Sequence, residues 1–352
     1  MFSPEIESAA LAQIVRRYPA LGGYGGIVRN GLSPNTAACV FETEAGRFFA
    51  KRYDPDRVEA HSLLWEHSIS LQLRAADYPT PVIHANNRGD TLTWLAENPY
   101  AIYSLAVGED RYGEYPVFSP FLDREDARAA GRWLARFHRV MAEGPLPLAR
   151  PFKGLTAQYQ VLLAPRYEEA LAALLSQVPI LEAYVGARPE WPPLVAGLAQ
   201  DAAHIQRLAS DLPVGVIHGD WLKRNMFWRG HDVSDVLDFG MWNVAPWIFD
   251  VALALLPVGF NWPELLLGRV SPNHPDLIAF LSGYQSERHF EDSEWEALPW
   301  MMQTARLEFY LSAIAVALQK GDQAEAAQFW DLLVATRHYF VSNPAWREVL
   351  LS

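Results

Sequence analysis

The spacing of apolar and polar positions divides this chain into two kinds of sequence. From about residue 23 to 107, short apolar runs alternate with turn residues. Segments 26–32 and 37–43 read as strands joined through Ser33-Pro34-Asn35-Thr36, and 47–53 reads as a third strand after Glu44-Ala45-Gly46. Residues 60–76 change period: Leu63, Leu64, Ile69, Leu71 and Leu73 have a helical spread that Pro79 and Pro81 stop. Two more strands are predicted at 91–97 and 100–105, followed by a charged, glycine-bearing linker at 108–113. Beyond residue 122 the pattern is mainly helical. Ala130, Trp133, Leu134, Phe137 and Met141 form one stripe of a helix over 124–141, and 157–175, 196–211, 274–287 and 293–338 also read as helices. Only 214–240 interrupts them with β sequence. The expectation is an α+β chain of two lobes: a small β-rich lobe with one main helix (1–105) and a large α-helical lobe (106–352).

Composition narrows the class. With 352 residues, 50% hydrophobic and 12% aromatic, the chain can bury a large core and is not a disordered protein. Its net charge of −12 argues against a nucleic-acid partner, which needs local cation density; it suits a cationic small molecule, and equally an ordinary acidic soluble protein. Cys39 is the only cysteine, so neither an intramolecular disulfide nor a multi-cysteine zinc site is available. The first residues lack the basic and apolar regions of a signal peptide. The apolar stretch 244–260 contains Asp250 and two prolines and is too short to span a bilayer. A cytoplasmic protein with no membrane partner is therefore expected.

The chemistry concentrates in 214–240. His218-Gly219-Asp220 is followed by Asn225, and Asp238 comes thirteen residues after that, inside Leu237-Asp238-Phe239. Phosphoryl transfer from a nucleotide calls for such a set: one carboxylate to orient and deprotonate an attacking hydroxyl, and hard oxygen donors to hold magnesium against phosphates. Residues 226–228 and 233–237 read as strands with a turn over 229–232. A hairpin centred between His231 and Asp232 would place Asn225 opposite Asp238. Motifs for zinc proteases, α/β-hydrolases and P-loop enzymes are missing from the sequence.

At these residues the chain resembles the aminoglycoside phosphotransferase and choline kinase group of the protein-kinase-like fold. The resemblance rests on His218-x-Asp220-x4-Asn225, Leu237-Asp238-Phe239, Phe249-Asp250-Val251-Ala252 and the Leu134 to His138 segment, and it runs from roughly residue 25 to 315. Gly283-Tyr284, Leu298-Pro299 and Arg306 to Tyr310 further resemble the type II homoserine kinases. The resemblance implies an ATP-dependent, Mg²⁺-requiring kinase acting on a hydroxyl of a small molecule such as an aminosugar, homoserine or a choline-like amino alcohol. It makes the first lobe the nucleotide-binding lobe and the second the home of the catalytic loop and acceptor site. Lys51 would contact the α- and β-phosphates, Glu66 would hold Lys51, Asp220 would be the catalytic residue, and Asn225 and Asp238 would bind metal. The loop carrying Ser33 and Asn35 would meet the phosphates, although it has one glycine (Gly31) where protein kinases carry several. Gly219 stands where eukaryotic protein kinases have arginine, and Asp250 follows Asp238 by only twelve positions, too few for a long activation loop. A protein kinase and a non-catalytic nucleotide-binding module are the rival readings. The sequence leaves the oligomeric state open.

Around this set, His218 and Asp250 read as braces of the loop. Lys223 and Arg224 read either as solvated charges or as cations for the moving phosphoryl group. Trp221, Trp242 and Trp247 are the aromatics nearest the motif, and therefore candidates to face the acceptor.

Overall fold

The computed structural model describes residues 5–343 except 32–35, 56–57, 117–118, 148–154, 156–157, 262–263, 265–266, 268 and 270–271. The chain divides into two compact units. One comprises Met1–Glu109, Met226–Arg229 and Ser234–Gly240; the other comprises Asp110–Asn225, Gly230–Val233 and Met241–Ser352.

The first unit is built on an antiparallel sheet. Strands β1 (Tyr24–Gly31), β2 (Thr36–Thr43), β3 (Gly46–Tyr53), β4 (Ile83–His84), β5 (Thr93–Leu95) and β6 (Asn98–Ser104) run in the order β1-β2-β3-β6-β4, with β5 also on β6. Helix α1 (Ser8–Val15), at residues for which the sequence pattern gave no element, covers one face. Its Leu11 and Ile14 pack with Cys39, Phe41, Ala50 and Ile102. The single cysteine is thus a buried core residue, and burial pushes its thiol up to about 12. Helix α2 (Ala60–Ala75) belongs to the other face, where Leu63 clusters with Tyr53, Ile83, Leu92 and Ala101. Because side chains alternate along a strand, the two faces sort the residues of β3. Ala50 joins the α1 side. Lys51, paired in register with Ala101, joins the α2 side.

The second unit is helical. Helix α3 (Arg124–Ala142) starts where Asp123 accepts the Glu125 N–H at 2.8 Å, and it buries Ala127, Ala130, Leu134 and Phe137 as the periodicity predicts. The 157–175 segment is two helices, α4 (Tyr159–Leu163) and α5 (Tyr167–Leu175), followed by α6 (Pro179–Gly186) and α7 (Trp191–Leu208). Helix α8 (Trp247–Leu255) was not apparent in the sequence, because Ile248 to Leu255 is buried on nearly every side and shows no polar period. Helix α9 (His274–Gln285) follows. The 293–338 segment is again two helices, α10 (Asp292–Gln319) and α11 (Gln323–Ser342), separated at Gly321, whose φ of +78° suits glycine. Helices α3 and α9 cross at glycines. A Cβ on Gly131 would lie 1.9 Å from the Phe280 carbonyl oxygen, and one on Gly283 would lie 1.9 Å from that of Arg128, so the backbones touch.

The His218-Gly219-Asp220 motif follows β7 (Val214–Ile217), which pairs with β10 (Asn243–Pro246). Between these lie β8 (Met226–Arg229) and β9 (Asp232–Val236), paired with each other. The hairpin forms, but its turn is Gly230-His231, centred one residue earlier than the sequence count assumed. The count that set Asn225 opposite Asp238 therefore does not hold. Among the described residues no helix is long and apolar enough to cross a membrane.

Candidate active site

Each unit carries one group of the expected residues. In the first unit, Lys51 Nζ donates to Asp238 Oδ1 at 3.1 Å. Glu66, buried on α2, acts on the same ammonium. Burial alone would lower the Lys51 pKa, but the charges of Asp238 and Glu66 outweigh it and hold the amine cationic. Asp238 is a non-glycine residue with φ +62°, a left-handed conformation that costs about 1–3 kcal/mol and collects at functional sites. Gly240 leaves room here: a Cβ on it would sit 3.3 Å from Asp238 Oδ1 and 3.8 Å from Glu66 Oε2.

Behind Lys51 stands a polar chain that the sequence did not reveal. The Tyr53 and Tyr103 hydroxyls are 3.0 Å apart, Tyr103 Oη lies 3.3 Å from His67 Nε2, and His67 Nδ1 is 2.7 Å from Thr91 Oγ1. The Lys51 ammonium sits 6.0 Å from the centre of the Tyr103 ring. Burial, with the Lys51 charge, lowers the His67 pKa to about 3, so this imidazole is neutral. The strand pattern gave Tyr53 and Tyr103 as sheet residues; only the register of β3 with β6 brings them together beside the lysine.

In the second unit, Asn225 folds back on Asp220. Its Nδ2 donates to the Asp220 carbonyl at 2.9 Å and to Asp220 Oδ2 at 2.9 Å. Both amide hydrogens are thereby used, and the amide oxygen points away from Asp220. His218 Nδ1 accepts the Asp220 N–H at 3.2 Å, which places the ring proton on Nε2, and the imidazole is fully buried against Phe137 and Trp221. Gly219 has φ +76°, and a Cβ there would lie 2.2 Å from the Met241 carbonyl oxygen; the arginine of protein kinases does not fit this backbone.

Asp250 underlies the loop. Its Oδ2 accepts the His218 N–H at 2.7 Å and His138 Nε2–H at 3.0 Å, while Oδ1 accepts the Gly219 N–H at 3.0 Å. Burial pushes the Asp250 pKa up, but the hydrogen bonds from the His138 ring and the His218 backbone N–H more than offset it, so the carboxylate stays ionised. Burial lowers the pKa of His138, whose Nδ1 accepts from the Tyr284 hydroxyl at 2.7 Å.

Three readings from the sequence need correction. Lys223 is neither solvated nor presented to a phosphate: only 3% of it is exposed, and burial lowers its pKa to about 8. Trp221 and Trp242 are core residues, 3% and 1% exposed, and no acceptor wall. Trp247 stacks on His138 and carries the Arg288 guanidinium 4.6 Å above its ring. Arg224 is exposed. Ser33 and Asn35 lie outside the described residues.

Whether this donor set suits magnesium can be judged from its chemistry. Among the described residues no cluster of three or more His, Cys, Asp or Glu side chains could hold a metal. Magnesium bound with a nucleotide does not need one, since phosphates and water complete its shell around one or two protein oxygens. The Asn225 amide oxygen in the second unit and the half-exposed Asp238 carboxylate in the first are each an oxygen donor of that kind.

Residues 29–290 match the family model described as the phosphotransferase enzyme family. The chain belongs to this family. Among curated relatives, a homoserine kinase of Beijerinckia indica is 29% identical over 287 residues, covering 78% of this chain and 75% of that protein. Among solved structures, a microcompartment-associated aminopropanol kinase superposes with a TM-score of 0.64 at 16% identity, covering 95% of this chain and 98% of its own. An amicoumacin kinase in complex with AMP-PNP, Ca²⁺ and its ligand has a TM-score of 0.61 at 14% identity, covering 92% and 93%. The likeness to these solved structures extends the kinase-like fold over both units. The expected class, a small-molecule kinase with an alcohol group as acceptor, is borne out.

Proposed function

We propose that this phosphotransferase moves the γ-phosphoryl group of ATP, bound with Mg²⁺, to a hydroxyl of a small amino alcohol or aminosugar. Asp220 orients the acceptor hydroxyl and takes its proton. Lys51, held by Asp238 and Glu66, binds the nucleotide phosphates in the first unit, which acts as the nucleotide-binding lobe. Asn225 and Asp238 hold the metal, and the loop with Ser33 and Asn35 covers the phosphates. When bound, the metal neutralises phosphate charge.

The observation that carries this reading is the Asn225 amide clamped on Asp220 by two 2.9 Å hydrogen bonds. It holds the carboxylate that is to face a hydroxyl, and it spends the amide nitrogen rather than the oxygen that a cation would need. A lone loop aspartate would need no such partner.

The acceptor class draws on a different observation. Homoserine and aminopropanol, named for two of the relatives, each carry an amine and a hydroxyl. A chain of net charge −12 favours a cation over an anion. The test is a coupled ADP-release screen with L-homoserine, 1-amino-2-propanol, choline and kanamycin, with mass detection of the phosphorylated product. Turnover with one of these supports the reading. Turnover confined to protein substrates, or none with any hydroxyl compound despite ATP binding, overturns it.

A further inference from the structure

We propose that Lys223 is a positioning residue that sets Asp220 and Asn225 by anchoring their loop to residues 119–120. The inference rests on the assignment of Asp220 and Asn225 made above. Lys223 opens the single turn of 3-10 helix Lys223–Asn225. Two short hydrogen-bonded turns join it to its neighbours, Leu222 N to Asp220 O at 2.8 Å and Asn225 N to Leu222 O at 2.8 Å. A shift of the backbone at 223 is therefore transmitted to both functional side chains.

The lysine side chain is fully committed elsewhere. Nζ donates to the Ser119 carbonyl at 2.5 Å, to Ser119 Oγ at 2.8 Å and to the Pro120 carbonyl at 3.0 Å. An ammonium has three hydrogens, so none remains for a phosphate. Three rings surround the charge, with Tyr115, Tyr112 and Phe121 centred 5.1, 5.3 and 5.7 Å away. The receiving segment is itself tied down, since the Phe121 N–H donates to Asp276 Oδ2 at 2.8 Å in the first turn of α9.

Packing alone does not call for this residue. Methionine would fill similar space without the desolvation of an ammonium, and buried ionic groups are often no more stabilising than apolar replacements. What the ammonium adds is direction: three oxygens at fixed points give one allowed position for the loop.

The test compares Lys223→Met, Ser119→Ala and the double variant in the full-length protein. Lys223→Met should lower kcat by about 10–100-fold, the scale of a small misplacement of catalytic groups, with KM for ATP within about twofold of wild type. The rates are measured with whichever of L-homoserine, 1-amino-2-propanol, choline or kanamycin the wild type phosphorylates. Ser119→Ala should lower kcat less, and the double variant should match Lys223→Met within about twofold, since one contact set is being removed twice. Hydrogen–deuterium exchange should speed up in peptides covering 119–121 and 220–225. A rise in KM for ATP with kcat preserved would mean that Lys223 serves the nucleotide, and would overturn the proposal. So would kcat within about twofold of wild type with unchanged exchange. If wild type phosphorylates none of the four compounds, the acceptor assignment fails while the exchange measurement still decides the anchor. If Lys223→Met does not fold, Ser119→Ala supplies the same comparison.

Discussion

Replacing Asp250 by alanine removes one buried carboxylate and strands three donors at once. The His218 N–H, the Gly219 N–H and His138 Nε2–H all lose their acceptor, in a place where Asp250, His138 and His218 are each fully buried. An unsatisfied buried donor costs about 1–3 kcal/mol, and breaking a buried charged network from one side costs about 3–5 kcal/mol. The three losses are not independent, because the loop relaxes around a single hole, so about 3–5 kcal/mol is the expected total. That is a large part of the roughly 5–15 kcal/mol that holds a domain folded. For a unit of this size it corresponds to a fall in Tm of roughly 6–20 °C. Asp250→Asn keeps one acceptor oxygen and turns an NH₂ group toward at least one donor, so its loss should be intermediate. Urea and thermal unfolding, followed by near-ultraviolet circular dichroism of the packed tryptophans, measure both. If Asp250→Ala loses less than about 1 kcal/mol, Asp250 is not the brace and the hydrogen-bond accounting is wrong.

Three further outcomes follow from the same geometry. Lys51→Ala should weaken ATP binding more than Glu66→Ala, and the double variant should fall well short of the product of the two effects; full additivity in ATP titrations would deny that Glu66 works through the lysine. His67 takes up no proton in the folded state until pH approaches about 3, whereas an unfolded histidine protonates near 6.5. Its stabilising contribution is therefore complete above about pH 6.5 and is lost as pH falls toward 3, by up to about 1.4 kcal/mol per pH unit. His67→Gln should flatten the stability profile between pH 6.5 and 5, and an unchanged slope in urea titrations would show that His67 is not the source. Mg²⁺ with ATP should raise Tm of the wild type beyond ATP with EDTA. Asp238→Ala should lose most of that metal-dependent increment, and Asn225→Ala less, because a carboxylate attracts the cation more strongly than an amide oxygen. Retention of the increment by both variants would remove them as ligands.

The sequence was informative where chemistry and period coincide. The strand around Lys51 and the helix carrying Glu66 have clear periods and both form, and Asp220, Asn225 and Asp238 lie in one short segment, which makes them candidates without coordinates. Helix α8 was hidden because it is apolar all round, and α1 because only Leu11, Ile14 and Val15 mark its buried side. The hairpin register failed by one position at the turn, since both 230–231 and 231–232 offer acceptable turn residues. The Tyr53–Tyr103–His67 chain depends on long-range pairing of β3 with β6, which local pattern does not encode. Lys223 was misjudged for the same reason. A lysine beside an arginine in a loop reads as solvated, and only tertiary structure supplies the oxygens at Ser119 and Pro120 that bury it.

The proposed transfer turns on Asp220, and Asp220→Asn separates its chemistry from nucleotide binding. The substitution preserves shape and the contact with Asn225 on the backbone side, but removes the charge that is proposed to orient and deprotonate the acceptor hydroxyl. ADP release and product mass should be measured alongside ATP affinity in wild type and variant. ATP affinity should be nearly unchanged and kcat lowered by about 10²–10⁴-fold or more. A variant that keeps a tenth or more of wild-type turnover would show that Asp220 is not the catalytic residue.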